Sequence, residues 1–199
     1  MTTLVGTQSR ILSTSGDIAE RFRVDVHVNG DTSTVRDEIK RGLTTSPKSL
    51  PCKYFYDARG SALFDRITHL PEYYLTRVEE GIIEALADGL MAELRPRDIV
   101  ELGPGPAAKI RALLGASTAS GNVERYVPFD VDASVVEDAG RALLDTYPFL
   151  RVHDIVGDFA RHLDRIPSPI GRRLVVFFGS TIGNLNPTGR QDLLRRVRR

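Results

Sequence analysis

Beyond Pro96 short apolar runs alternate with amphipathic stretches, and this alternation is the strongest structural signal in the chain. Runs at residues 98–102, 125–130, 151–157 and 173–178 have strand length. The stretches between them, about 106–114, 134–147 and 159–166, read as helices, and another helix starts near Pro187. Strand and helix in strict alternation predict parallel βαβ units, so the expected fold class is α/β: an incomplete doubly wound sheet of about four parallel strands. The run Leu174-Val175-Val176-Phe177-Phe178 is apolar on both faces, which predicts a covered strand and not a sheet edge, yet no further strand is read that could pair with its outer side, so an exposed apolar edge is also expected. Upstream of Pro96 the pattern is mainly helical. Residues 22–28 alternate as a strand would; 34–43, 61–70 and 76–94 follow helical spacing; Pro47-Lys48-Ser49-Leu50-Pro51 breaks the first helix. Thr76 and Glu79 have the spacing of a capping box at the start of the longest helix.

Composition narrows the function classes. The 199 residues are 41% hydrophobic, and 27 Lys and Arg against 26 Asp and Glu leave a net charge of +1. That balance offers no sequence-independent attraction to a phosphate backbone, so nucleic acid is not an expected partner. The basic end Arg195-Arg196-Val197-Arg198-Arg199 reads as the solvated face of a helix. A single cysteine, Cys52, allows no intrachain disulfide and no cysteine-based metal set, which fits a reducing cytoplasm. The first residues lack the basic start and apolar core of a signal peptide, and no stretch approaches a membrane span. A soluble cytoplasmic protein without a metal or a membrane partner is expected; the oligomeric state is not legible.

The candidate chemistry lies where predicted strands end. In Glu101-Leu102-Gly103-Pro104-Gly105-Pro106-Ala107-Ala108-Lys109 a strand runs into a glycine turn and then a helix. Glycines at 103 and 105 permit tight turning and close backbone approach to a ligand, and Pro106 suits a first helical turn. Ala108 stands where a dinucleotide fingerprint would place a third glycine. The acid Glu101 before the turn suits a cationic sulfonium better than a pyrophosphate. The next strand ends in Asp130-Val131-Asp132; a carboxylate there can hold the two hydroxyls of a ribose, and either acid can instead cap the following helix. The third ends in Gly157-Asp158-Phe159, where the carboxylate can accept an adenine amino group, or simply cap a helix while Phe159 joins the core.

From Leu43 through Asn186, the order of segments resembles the histidine-specific, S-adenosylmethionine-dependent methyltransferases of ergothioneine biosynthesis, over their N-terminal portion. The resemblance rests on Gly42-Leu43-Thr44 with Pro47-Lys48-Ser49-Leu50-Pro51, Lys53-Tyr54-Phe55-Tyr56-Asp57, Leu70-Pro71-Glu72-Tyr73-Tyr74, Phe129-Asp130-Val131-Asp132, Gly157-Asp158-Phe159 and Phe178-Gly179-Ser180-Thr181-Ile182-Gly183-Asn184-Leu185. It implies a Rossmann-like methyltransferase domain at 96–199, a helical segment at 34–95 that contributes to the substrate site, and a variable N-terminal extension at 1–33. It implies S-adenosyl-L-methionine as cofactor, contacted by Gly103, Lys109, Asp130, Asp158 and Phe159. L-Histidine would be the substrate, its amino and carboxylate groups held by Tyr73 and Asn184 with Tyr56 near the imidazole. The product would be the Nα-trimethylated amino acid. Read from the residues alone, Lys109 fits an exposed helix face equally, and Tyr73 or Tyr74 fits a core position.

Methyl transfer from a sulfonium to an amine is an in-line displacement needing a neutral nitrogen, close approach and alignment, with no metal. No catalytic base is identifiable: His27, His69, His153 and His162 show no pairing that marks one. The glycine loop and Tyr54 depart from the family pattern, which favours a hydroxyl-rich turn and a tryptophan at these places. Family members also continue well past this length, so a truncated chain that turns over poorly alone is expected. Two other function classes stay open: a non-catalytic remnant that binds a nucleoside ligand or a partner chain, and an NAD-dependent oxidoreductase half-domain, which the turn chemistry disfavours.

Overall fold

The computed structural model describes residues 8–10, 20–27, 32–105 and 107–198. The strands are β1 (Gln8–Arg10), β2 (Phe22–Val26), β3 (Asp98–Leu102), β4 (Arg125–Asp130), β5 (Arg151–Val156) and β6 (Arg173–Val176). The helices are α1 (Thr32–Thr44), α2 (Ala58–Thr68), α3 (Leu75–Leu94), α4 (Ala108–Ser120), α5 (Ala133–Thr146), α6 (Phe159–His162) and α7 (Pro187–Val197). Short 3-10 turns occupy Cys52–Phe55, Leu163–Arg165 and Thr181–Asn184.

The strands form one six-stranded sheet in the order β1-β2-β5-β4-β3-β6. Only β1 is antiparallel; β2 to β6 run parallel. The α/β class and parallel crossovers are as the pattern predicts, and β3 and β4 have the expected bounds. Two strands come in addition to the expected four. The alternating stretch at Phe22 pairs along β5, burying Phe22 and Val24 under the same helices as the rest of the sheet. β2 therefore belongs to the sheet and does not stand apart as an extension. Val28, at the end of that stretch, lies outside the described residues.

Alternation along the strands splits the core into two layers. Ile99, Tyr126 and Val152 face α3, α4 and α5, meeting Met91, Ile110, Leu114, Val136 and Leu143. Val100, Leu102, Val127, Phe129 and Ile155 face the opposite side and meet Leu163 and Leu193. At the amino ends of the strands, fully buried Asp98 accepts paired hydrogen bonds from Arg125 at 2.9 and 3.0 Å and one from Arg173 Nε at 2.7 Å. One carboxylate thus fastens β3, β4 and β6, and its charge is matched by two guanidiniums as a buried charge requires.

Three local expectations change. β6 lies at the sheet edge, and among the described residues no strand pairs with its outer side; only Val176 of this strand is fully buried. The chain crosses from β5 back beside β3, placing β6 outermost despite its apolar sequence. α4, which packs on α3, runs on to Ser120 before Gly121 turns left-handed at φ +63°. Its start is at Ala108, and Pro106 lies outside the described residues. Finally, Tyr74 occupies the N-cap of α3 without a side-chain cap, so the Thr76–Glu79 capping box does not form.

Candidate functional site

Parallel strands in register bring the loops after β3, β4, β5 and β6 to a single edge of the sheet: Leu102 lies opposite Phe129, Glu101 opposite Val176, and Asp130 opposite Val156. This is the edge at which open α/β sheets bind ligands. Gly103 leaves β3 with φ +68° and donates its N–H to Phe129 O at 2.9 Å. A Cβ at Gly103 would enter space bounded by Phe177 and Thr181 at 3.9 Å and by Asp130 Oδ2 at 4.0 Å. The glycine both supplies the left-handed turn and leaves room in front of the Asp130 carboxylate.

Asp130 Oδ1 accepts the N–H of Asp132 at 3.0 Å. Burial pushes the Asp130 carboxyl up to about 6, against the pull of backbone N–H groups from Asp132 and Val131 and helped by the Asp132 charge. Asp132 opens α5 and accepts a hydrogen bond from Ser61 Oγ at 3.0 Å, linking α2 to the site.

Tyr56 feels this carboxylate, and Tyr73 and Asn184 group around Tyr56. Asp57 caps α2 by accepting Gly60 N–H at 2.7 Å, which fixes the direction of Tyr56 just before it. Arg77 ties Leu70 O at 3.0 Å and Pro71 O at 2.8 Å, shaping the turn that carries Tyr73. Phe64 lies edge-on between the rings of Tyr56 and Tyr73, at 6.2 and 6.0 Å. The Asn184 side chain lies beside the Tyr56 phenol. Burial raises the Tyr56 pKa, as do Cys52, Tyr73 and Asp130, while the neighbouring Asn184 side chain opposes the shift. Tyr74 is 59% exposed, so of the tyrosine pair only Tyr73 faces this group.

A second cluster follows β5. Asp158 is buried and accepts Lys53 Nζ at 2.9 Å, with Arg161 Nε at 3.8 Å. Lys53 also pairs with Glu38 at 3.0 Å, and the Tyr54 phenol donates to Glu38 at 2.5 Å. Burial alone would raise the Glu38 pKa; hydrogen bonds from Tyr54 and Lys53 and the charges of Lys53 and Arg161 outweigh it and hold the carboxyl down at about 2. A cavity of about 270 Å³ opens here, bordered among others by Lys53, Tyr54, Val131, Gly157 and Asp158. Phe159 turns into the apolar layer, edge-on to Phe129 at 6.3 Å and Phe177 at 5.4 Å. Phe177 in turn borders Gly103, which joins this cluster to the glycine turn.

Lys109 does not lie on an exposed helix face. It is buried, ion-paired with Glu79, and its Nζ sits 5.9 Å from the Phe178 ring centroid. Glu101 does not lie exposed at the glycine turn either. It is buried beneath the turn, accepts the Tyr126 phenol at 2.6 Å, and is pushed up to about 7 by burial, against the Tyr126 bond and the Lys109 charge. The histidines do form pairs that the sequence did not signal. His153 Nε2 lies 2.7 Å from Asp25 Oδ2, and the rings of His27 and His162 are 5.8 Å apart, with His162 Nδ1 accepting Asp158 N–H at 3.2 Å. Sequence reasoning also missed Glu38, Lys53, Glu79 and Arg161. Lys53 stood inside a matching string without a role, whereas nothing local singles out Glu38 or Arg161.

Residues 35–199 match the family model described as histidine-specific, SAM-dependent methyltransferase. The chain is 49% identical over 160 residues to a histidine N-alpha-methyltransferase of Mycolicibacterium smegmatis, covering 80% of this chain and 50% of that protein. It is 46% identical over 176 residues to the protein of that name from Mycobacterium tuberculosis, covering 87% and 54%. To ergothioneine biosynthesis protein 1 of Neurospora crassa it is 31% identical over 189 residues, covering 92% of this chain and 21% of the fungal protein. The chain spans about half the length of the two bacterial relatives. With four of the six strands and every candidate residue inside the matched range, the chain belongs to the histidine-specific, S-adenosylmethionine-dependent methyltransferase family.

Proposed function

We propose that the protein is a cytoplasmic enzyme that binds S-adenosyl-L-methionine and methylates the α-amine of L-histidine, giving Nα-trimethylhistidine. The observation that carries this reading is the grouping of Tyr73, Asp130 and Asn184 around Tyr56, from four separate segments, with Asp130 Oδ2 only 4.0 Å from where a Cβ at Gly103 would stand. The residues present suit the cofactor: the space a Cβ at Gly103 would fill, the Asp130 carboxyl beside it, and a cavity with Asp158 in its wall. Asp130 would hold the ribose hydroxyls and Asp158 the adenine amino group, with Phe159 among the apolar neighbours of the ring and Gly103 giving backbone access. Lys109 would add a cationic contact. Asp158 and Lys109 already hold ion-pair partners, Lys53 and Glu79, which they keep or exchange as a ligand arrives.

When bound, the cofactor supplies a methyl group on a sulfonium, open to in-line displacement by an amine. Asn184 brings amide donor and acceptor together, and the Tyr56 and Tyr73 phenols add directional hydrogen bonds, a combination suited to a zwitterionic amino acid. Entry into this half-buried site disfavours the ammonium form of the substrate amine, which must present a lone pair. A second reading is cofactor binding without turnover, which the strand-end groups Gly103, Asp130 and Asp158 would support by themselves. Calorimetric titration with S-adenosylmethionine and NAD, followed by mass spectrometry of histidine incubated with protein and cofactor, separates the readings. Methyl additions to histidine support the first, S-adenosylmethionine binding without them the second, and NAD binding alone overturns both.

A further inference from the structure

The spacing of Thr76 and Glu79 predicts a capping box, yet the α3 terminus goes without one and Glu79 points elsewhere. One carboxylate oxygen, Oε1, accepts the backbone N–H of Gly179 at 2.8 Å; the other, Oε2, is ion-paired with Lys109. Lys109 is buried, so its charge needs this partner, and in return it fixes the direction of the Glu79 side chain. Gly179 begins an unusual turn, with φ +72° followed by φ +59° at Ser180, before the 3-10 turn Thr181–Asn184. The remaining bonds of this turn are local: Thr181 Oγ1 donates to Phe178 O at 3.2 Å and Gly183 N–H to Ser180 O at 2.8 Å. Among the described residues, the hydrogen bond that ties this turn to a distant element is the one from Gly179 N–H to Glu79; at its other end the Asn184 side chain lies beside Tyr56.

We infer that Glu79 is a positioning residue: it clamps the Gly179–Asn184 loop to α3 and to Lys109, and so sets where the Asn184 amide stands. A loop of consecutive left-handed residues stores strain and keeps its shape only where its surroundings hold it. A charged acceptor on a backbone N–H is the stronger kind of hydrogen bond, and here it is supplied from a rigid helix 100 residues away in the chain. The role in histidine binding rests on the function proposed above; the clamp itself does not.

The test uses Glu79→Ala and Glu79→Gln, with amide hydrogen exchange at Gly179 to Asn184 and calorimetric titration of histidine in the presence of S-adenosylhomocysteine. Glu79→Ala is expected to speed exchange at Gly179 about tenfold and to weaken histidine about tenfold, the size of one lost charge-assisted hydrogen bond. Glu79→Gln keeps a carbonyl oxygen for Gly179 and should restore most of the protection. Unchanged exchange in Glu79→Ala overturns the clamp, and so does equal loss in both variants, since glutamine offers the same acceptor. If the unaltered protein binds no histidine, the proposed substrate fails while the exchange data still decide the clamp.

Discussion

Asp154 offers a sharp test of how burial sets the chemistry of this fold. It lies on β5 between Val152 and Val156, on the face covered by α5, and is fully buried. Both carboxyl oxygens lack a hydrogen-bond partner among the described residues. Gly140 lets α5 come down closely at this point: a Cβ there would stand 3.0 Å from Asp154 Oδ1 and 2.9 Å from Val152. Burial, with the charge of Glu137 and against that of Arg141, pushes the carboxyl from 3.8 up to about 8. Between these values the folded protein keeps a proton that the unfolded chain has released. The stability contributed by protonated Asp154 is therefore complete below pH 3.8 and is lost as pH rises through 8. Each pH unit in that window removes about 1.4 kcal/mol, so passing from pH 5 to pH 7 takes away roughly 3 kcal/mol through this group. Asp154→Asn is nearly isosteric and does not titrate. Urea unfolding of both proteins across pH 4 to 8 should show the variant gaining on the parent by a few kcal/mol towards the alkaline end, with little difference at pH 4. Parallel stability curves across that range would refute the argument, because they would mean that the folded carboxyl is ionised or solvated.

Glu38 works in the opposite sense: its carboxyl is held at about 2 against an ordinary 4.5, so its stabilisation is present above pH 4.5 and disappears as pH falls towards 2. Glu38→Gln should flatten that part of the acid unfolding profile, measured by circular dichroism. Asp98→Ala leaves Arg125 and Arg173 facing each other without their shared carboxylate, and should cost about 3–5 kcal/mol in urea denaturation. Asn184→Ala should weaken histidine about tenfold while changing S-adenosylmethionine affinity much less, as read by calorimetry; equal loss of both would remove Asn184 from the substrate side.

Much of the candidate site was legible because its parts are local. A glycine turn after an apolar run, or a carboxylate at the end of the next one, needs only the strand period and its punctuation to be recognised, and β3 and β4 were bounded to the residue on that basis. Family-specific strings such as Leu70-Pro71-Glu72-Tyr73-Tyr74 then pointed to a substrate that strand ends alone do not specify.

What the sequence by itself determined is the set of elements from Pro96 onward, their parallel arrangement, and the strand ends that carry the chemistry, since each follows from side-chain periodicity over a few residues. The tertiary structure alone decided the partners. The pairing of β2 with β5, the outer position of β6, and the ion pairs Lys53–Asp158 and Lys109–Glu79 join residues far apart in the chain. It also decided the charge states, because the same aspartate is an ordinary acid in water and a protonated one beneath α5 at Asp154. Local patterning selects what each segment becomes; the dielectric and the counter-ion around a side chain exist only once the segments have packed.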